Sequence, residues 1–412
     1  MTFALKAFVS LSALALSATV ATADCGIASG SVRILSNDFE ALHVVAAAAE
    51  ECASATVKVT KNQTDKHKNL QVPALKANPA EYTVAVVANN SVVPLLTEGL
   101  IRPLDDLVAK YGQDIQPNQL IKIDGKVMAV AFMANSQHLF FRKDLLAKAG
   151  VAAPTTYEGV LEAAKALKDK GILAHPLGAA DAAGWDLAAE FVNMYLGYGG
   201  EFFEPGSAKL AINNEKGLAT LGMMRSLTAY MGPEYLTYNA DVLNKEYQGG
   251  KIAINNNWGS LAGAAIDPKV ATADVVANTV FAAAPTVGGG TIPAAALWWD
   301  GFSIAKNISD EDAEASFRAM VHGISPDVAA KHPNAATWLI KGYVPGPAAV
   351  GVIGTANGGA RPYPMVPYMG TLHTVLSTAL ADFIKGSEDA PKAMADVEAA
   401  YNAAAKEGGF LK

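Results

Sequence analysis

The sequence predicts an α/β protein folded as two lobes, and three observations lead there. A chain of 412 residues exceeds what one compact core usually organises, which makes two domains the expectation. Its first hundred residues alternate short apolar runs with helical ones, the mark of a doubly wound, mostly parallel sheet. Further on, the polar residues Asn135 to His138 interrupt two buried-strand runs, Val127–Phe132 and Leu139–Phe141. A polar break there suits a chain passing from one packed body to another and facing a cleft as it does so.

The strand–helix alternation runs Val32–Leu35 then Ala41–Cys52, Thr56–Thr60 then Leu70–Ala77, and Tyr82–Val87 then Val92–Glu98. Ligands of such sheets collect beyond the carboxyl ends of the strands. The residues at those ends are Asn37-Asp38, the Gln63–Lys68 loop with His67, and Asn89-Asn90, all hydrogen-bonding types that suit a hydroxyl-rich ligand. Asn89, Asn90 and Ser91 also serve as helix N-caps. Asp124-Gly125 is a turn and Gly150 a helix C-cap. Thr155 with Glu158 has the capping-box spacing that opens the next helix.

Farther along, Gly184-Trp185-Asp186 begins a helix, where the indole serves either the core or a cleft. Lys251–Ile254 is a short strand running into Asn255-Asn256-Asn257-Trp258-Gly259-Ser260, a poor core sequence. Ala296–Ile304 carries adjacent indoles, Trp298 and Trp299, followed by Asp300-Gly301. They are hard to bury together, and one of them is expected to face the cleft. Arg361 and Tyr363 sit in a proline-stiffened turn before a long helix, and Arg361 offers a fixed fork of donors.

The run IDGKVMAVAF…N…LFFRKDLLAKAGV…PTTYE (Ile123 to Glu158) resembles the central signature of the extracellular solute-binding proteins that serve ABC importers, in their carbohydrate-binding branch. The segment from Gly99 to Gly112, the Asn257-Trp258 element and the Trp298–Ile304 strand extend that resemblance over nearly the whole mature chain. It implies a type II periplasmic-binding-protein fold whose lobes are discontinuous in sequence, 24–134 plus 300–350 and 135–299 plus 351–412. Crossings would fall near Asn135, Trp299 and Gly351. It implies, too, a neutral sugar or polyol held in the cleft, delivery to a membrane-embedded ABC permease, and no catalysis, cofactor or metal. The expected ligand contacts are Asp38, His67, Asn89, Asn90, Asn135, Gln137, Trp185, Asp186, Asn257, Trp258, Trp298 or Trp299, Asp300, Arg361 and Tyr363. An exported carbohydrate-active enzyme, or the same fold with a non-sugar organic solute, are the alternatives.

Composition narrows the classes further. With 51% hydrophobic and 17% charged residues the chain is an ordinary globular protein. A net charge of −7 and the lack of any Lys/Arg cluster argue against nucleic acid as a partner. Lys6, the apolar run Ala7–Val20 and Ala21-Thr22-Ala23 form a signal peptide cleaved after Ala23, which places the chain in the periplasm, expected as a monomer. Cys25 and Cys52 are the only cysteines, and an exported compartment permits a disulfide. The helix ending at Cys52 runs back along the first strand and returns its end to the strand's start, so the two thiols would meet; two unpaired thiols are the alternative. The seven histidines have no metal-ligand spacing. The glycines at 288–290 lack the context of a phosphate loop, and no nucleophile elbow occurs.

Overall fold

The structure, a computed structural model, describes residues 25–412. The signal peptide expected over residues 1–23 lies outside the described residues.

The chain opens with three parallel strands, β1 (Gly30–Ser36), β2 (Val57–Gln63) and β3 (Val84–Ala88), joined by the helices Glu40–Glu50 and His67–Lys76. Parallel neighbours need a crossover connection, here a helix after each strand, which is what the alternating sequence supplied. β4 (Leu120–Ile123) and β5 (Lys126–Asn135) form a hairpin on the two-residue turn Asp124-Gly125. Both turn residues have positive φ, 49° and 78°, the geometry that makes a residue such as Asp followed by Gly the favoured pair. Only Ser136 separates β5 from β6 (Gln137–Arg142), so the break in the polar stretch is one residue wide.

β6 belongs to a second sheet. With β7 (Leu177–Ala179), β8 (Ile254–Trp258) and β9 (Thr279–Ala282) it has the order β7-β8-β6-β9. The chain then returns through β10 (Ala296–Ile304), which lies antiparallel between β5 and β3 in the first sheet. β11 (Thr337–Trp338) adds to β5, and β12 (Arg361–Pro362) to the start of β10. The first sheet thus has the order β11-β5-β10-β3-β1-β2, with β4 and β12 off that path.

Among the described residues, four apolar clusters flank the two sheets, and the two largest lie one on each. Val32, Ile34, Val86, Phe132, Phe302 and Phe317 pack around the first sheet. Leu139, Phe191, Leu196, Ile254, Leu376 and Tyr401 pack around the second. β10 belongs to both: Ala296 and Trp298 lie in the second core, Phe302 and Ile304 in the first, with a β-bulge at Asp300/Gly301 between them. Gly301 is obligatory there, because a Cβ would stand 2.5 Å from the Val130 carbonyl oxygen. The third passage falls between Tyr343, which packs on the first core, and Ala348, which packs on the core of Phe140 and Tyr247. It therefore precedes Gly351, which already sits against His138.

Several local expectations shift. Thr156, not Thr155, caps the helix Tyr157–Asp169 by accepting from the Gly159 N–H, while Glu158 accepts from the Gly288 N–H instead of closing a capping box. Ser91 stands at the N-cap of Val92–Thr97, but its hydroxyl accepts from the Ala88 N–H behind it. Gly150 ends its helix in the left-handed conformation, φ 68°. Cys25 and Cys52 are bonded, closing a loop of sequence separation 27.

A candidate ligand-binding cleft between the lobes

The carboxyl ends of β1, β2 and β3 face the second lobe across a cleft of about 530 Å³. From the first lobe come Asn37, Asp38 and Phe39 after β1, Asp65, His67, Lys68 and Asn69 after β2, Ala88 at the end of β3 and Asn90 beyond it. The second lobe contributes Trp185 and Asp186 at the start of their helix, Ala240 and Asp241 at the start of another, and Trp258, Ser260 and Leu261 beyond β8. The crossing strands β5 and β10 add Asn135, Trp298 and Asp300.

The three indoles form one continuous wall. Trp185 stacks on Trp258 at a centroid separation of 6.2 Å, and Trp298 lies 6.0 and 5.8 Å from the two. The wall is braced from behind: Tyr363 packs on Trp298 at 4.2 Å and His373 stacks on Trp185 at 4.9 Å. Burial lowers the His373 pKa to about 4, so the ring is neutral. Its Nε2–H then donates to the Trp185 carbonyl (3.1 Å), leaving Nδ1 to accept from the Tyr363 hydroxyl (3.1 Å). One tautomer thus fixes both aromatic braces.

Polar groups from both lobes complete the cleft. The buried Asn90 Oδ1 has no hydrogen-bond partner. Lys68 rises from the first lobe with its Nζ 4.5 Å above the Trp185 ring, a cation–π contact between the lobes. Lys68 remains open to solvent along its length, but its ammonium stands among protein groups on both sides of the cleft. That enclosure lowers its pKa to about 8, against the opposing pull of Asp300 and Asp186. Burial raises Asp300 to about 7, with Lys68 drawing it back. Asp186 is raised to about 6 by burial and by the charge of Asp241, Lys68 again acting in the other direction. His67 is buried, its pKa lowered to about 4, and its Nδ1 has no partner. Such a surface presents apolar ring faces together with hydrogen-bond acceptors and one ammonium donor.

The structure therefore gathers Asp38, His67, Asn90, Asn135, Trp185, Asp186, Trp258, Trp298 and Asp300 at one cleft. Two of these are committed within the protein: Asp38 pairs with His43, and the Asn135 amide donates to Ser260 Oγ and accepts from the Ser260 N–H. The remaining expected contacts stand elsewhere. Asn89 clamps β10, accepting from the Trp299 N–H at 2.9 Å. Trp299 points to the opposite face of β10 and packs on the small core of Val87 and Ala129, as strand alternation requires once Trp298 faces the cleft. Gln137 and Asn257 are fully buried; Gln137 accepts from Asn193 and Asn256, and Asn257 donates to the Ala240 carbonyl. Arg361 is drawn away by Glu201 and the Gly200 carbonyl. Tyr363 is buried behind Trp298 rather than exposed beside it. Lys68, Asp241, Ser260 and the brace His373 had no motif in the sequence. Lys68 could have been found from its place beside His67 at a strand end.

Residues 36–341 match the family model described as bacterial extracellular solute-binding protein. Among solved structures, the chain is similar to an ABC transporter solute-binding protein of Agrobacterium radiobacter K84 in complex with ribitol, with a TM-score of 0.78 at 19% identity over 91% of this chain and 98% of that one. Maltose-bound MalE3 of T. maritima gives 0.76 at 19% identity, covering 91% of this chain and all (100%) of the other. A solute-binding protein of Agrobacterium vitis S4 with bound D-mannitol gives 0.75 at 18% identity, over 93% and 100%. At this level of identity the likeness is one of fold, the two-lobed type II architecture. The family match spans most of the chain, and the protein belongs to the bacterial extracellular solute-binding proteins.

Proposed function

We propose that this chain binds a sugar or polyol in the interlobe cleft and hands it, chemically unchanged, to a membrane-embedded ABC permease. The observation that carries the reading is the juxtaposition of the three-indole wall with Asn90 Oδ1, which lacks a protein partner, and with the carboxyl groups of Asp186 and Asp300. A polyhydroxy compound matches both sides, its C–H faces lying on the indoles and its hydroxyls donating to the acceptors. The ribitol, maltose and D-mannitol named for the structural relatives are of the same chemical class. The carboxylates of a neutral-ligand site accept hydroxyl protons, and Lys68 donates to a ligand oxygen.

The lobes take residues 24–134 plus 300–350 and 135–299 plus 351–412, with the third passage a few residues ahead of that boundary. The protein works as a periplasmic monomer after removal of residues 1–23, and it carries out no turnover. A thermal-shift screen of sugars, polyols and small organic acids tests the reading, since a solute that binds only the native state raises Tm. A rise confined to polyhydroxy compounds, with the solute recovered intact, is the expected result. A rise confined to organic acids, or recovery of a cleaved solute, would overturn it.

A further inference from the structure

The disulfide of the first lobe has a third donor beside it. Cys25 lies in the irregular segment before β1, Cys52 just after the helix Glu40–Glu50, and His322 in the last turn of the helix Asp310–Gly323. One ring nitrogen of His322 and the two sulfurs all lie within 4.8 Å of one another. Glu51 Oε2 stands 3.2 Å from His322 Nε2 and orients the ring. Cys52 is buried, whereas Cys25 and His322 are partly exposed and line a surface cavity of about 310 Å³ with Gln113, Asp114 and Arg318. The sequence hides this cluster, because His322 is far along the chain from both cysteines.

Two thiolates and an imidazole are a donor set for zinc, whereas magnesium and calcium take oxygens. A carboxylate paired with the imidazole, the place Glu51 holds, is the usual support of a metal-bound histidine. Zinc with Zn–S bonds of about 2.3 Å needs its two sulfurs about 3.8 Å apart, so they must part once the disulfide is reduced. Cys25 can supply that movement, since residues 25–28 belong to no helix or strand. The cavity beside Cys25 and His322 gives the ion a way in and room for a fourth ligand.

We propose that reduction of the Cys25–Cys52 disulfide creates a zinc site, with Cys25, Cys52 and His322 as ligands and a fourth position open to the cavity. An external dithiol gives up two electrons and two protons: its sulfurs join as a disulfide, and the Cys25–Cys52 bond becomes two thiols. Zinc then displaces the two thiol protons as two Zn–S bonds form, and a neutral His322 nitrogen donates its lone pair. The two thiolate charges cancel those of the ion, so the loaded cluster brings no net charge next to Arg318. The ion would restore the link that reduction breaks and tie the helix Asp310–Gly323 into it.

Zinc binding by the mature chain at pH 8 tests this, read by competition with a chromophoric chelator. Oxidised protein is compared with protein reduced by dithiothreitol and then freed of it under nitrogen. One zinc per reduced chain is expected and none per oxidised chain, with cobalt in its place giving the absorption of a thiolate complex. Zinc should also raise the Tm of the reduced protein in a saturable manner. His322→Ala should weaken zinc binding at least about tenfold, the least that loss of an outer-shell partner usually costs. Reduced protein that takes up no zinc overturns the proposal, as does equal uptake by oxidised protein or wild-type affinity in His322→Ala. Equal affinity of the reduced wild-type chain in urea overturns it as well, a comparison that decides whether or not the variant folds.

Discussion

At the scale of single residues, the cleft rests on the indoles and on carboxylates that ionise reluctantly. Trp258 stands at the mouth of the wall, partly exposed, and stacks on Trp185. Its replacement by alanine removes a stacking face worth roughly 1 kcal/mol or more, so affinity for the best solute should fall at least about fivefold with little change in Tm. Titration calorimetry that returned wild-type affinity for Trp258→Ala would remove this indole from the site. Asp300 yields a pH dependence. Its folded-state pKa of about 7 lies above the unfolded value near 3.8, so the native state binds the extra proton between those limits. Stability from this group is therefore complete below about pH 4 and is lost as pH rises towards and through 7. Asp300→Asn should flatten the decline of Tm over that range in a buffer series, and an unaltered slope would show that Asp300 ionises freely. Side-chain type pointed to residues that line the cleft, as with Trp185, Trp258 and Asn90. It failed for Gln137, Asn257 and Arg361, because a polar residue in a strand or turn can be claimed by another element, and the sequence does not display the partners Asn193, Ala240 and Glu201.

Among the elements, the strand–helix alternation of the first lobe was legible, since its period encodes it directly. Boundaries were less so. The helix expected from Leu70 begins at His67, which moves Lys68 from a loop onto the first turn of a helix and aims it across the cleft. The choice between Trp298 and Trp299 needed the register of β10 against β5, which pairs Trp298 with Asn135. The disulfide belongs to this scale, since it fastens the segment before β1 to the end of the helix that follows it. By loop-closure entropy its loss should destabilise the first lobe by about 3.5 kcal/mol. Chemical denaturation of Cys25→Ser/Cys52→Ser at unchanged m-value checks this, and a loss below about 1 kcal/mol would contradict the entropic account.

Across the whole molecule, two cores with separate sheets are joined by β5–β6, by β10 and by the segment from Tyr343 to Ala348. Such connections bend more readily than a packed lobe deforms, so the account predicts that the lobes move as bodies about them. Polar groups come from both lobes and most of the ring faces from the second, with Lys68 above Trp185 as the contact between them. A solute that touches both sides favours the closed arrangement by the difference in its affinity for the two states, and only by that difference. Small-angle X-ray scattering of the protein with and without a saturating concentration of the solute that most raises Tm tests this directly. A smaller radius of gyration in the presence of solute is predicted; identical profiles would contradict closure of the lobes around it.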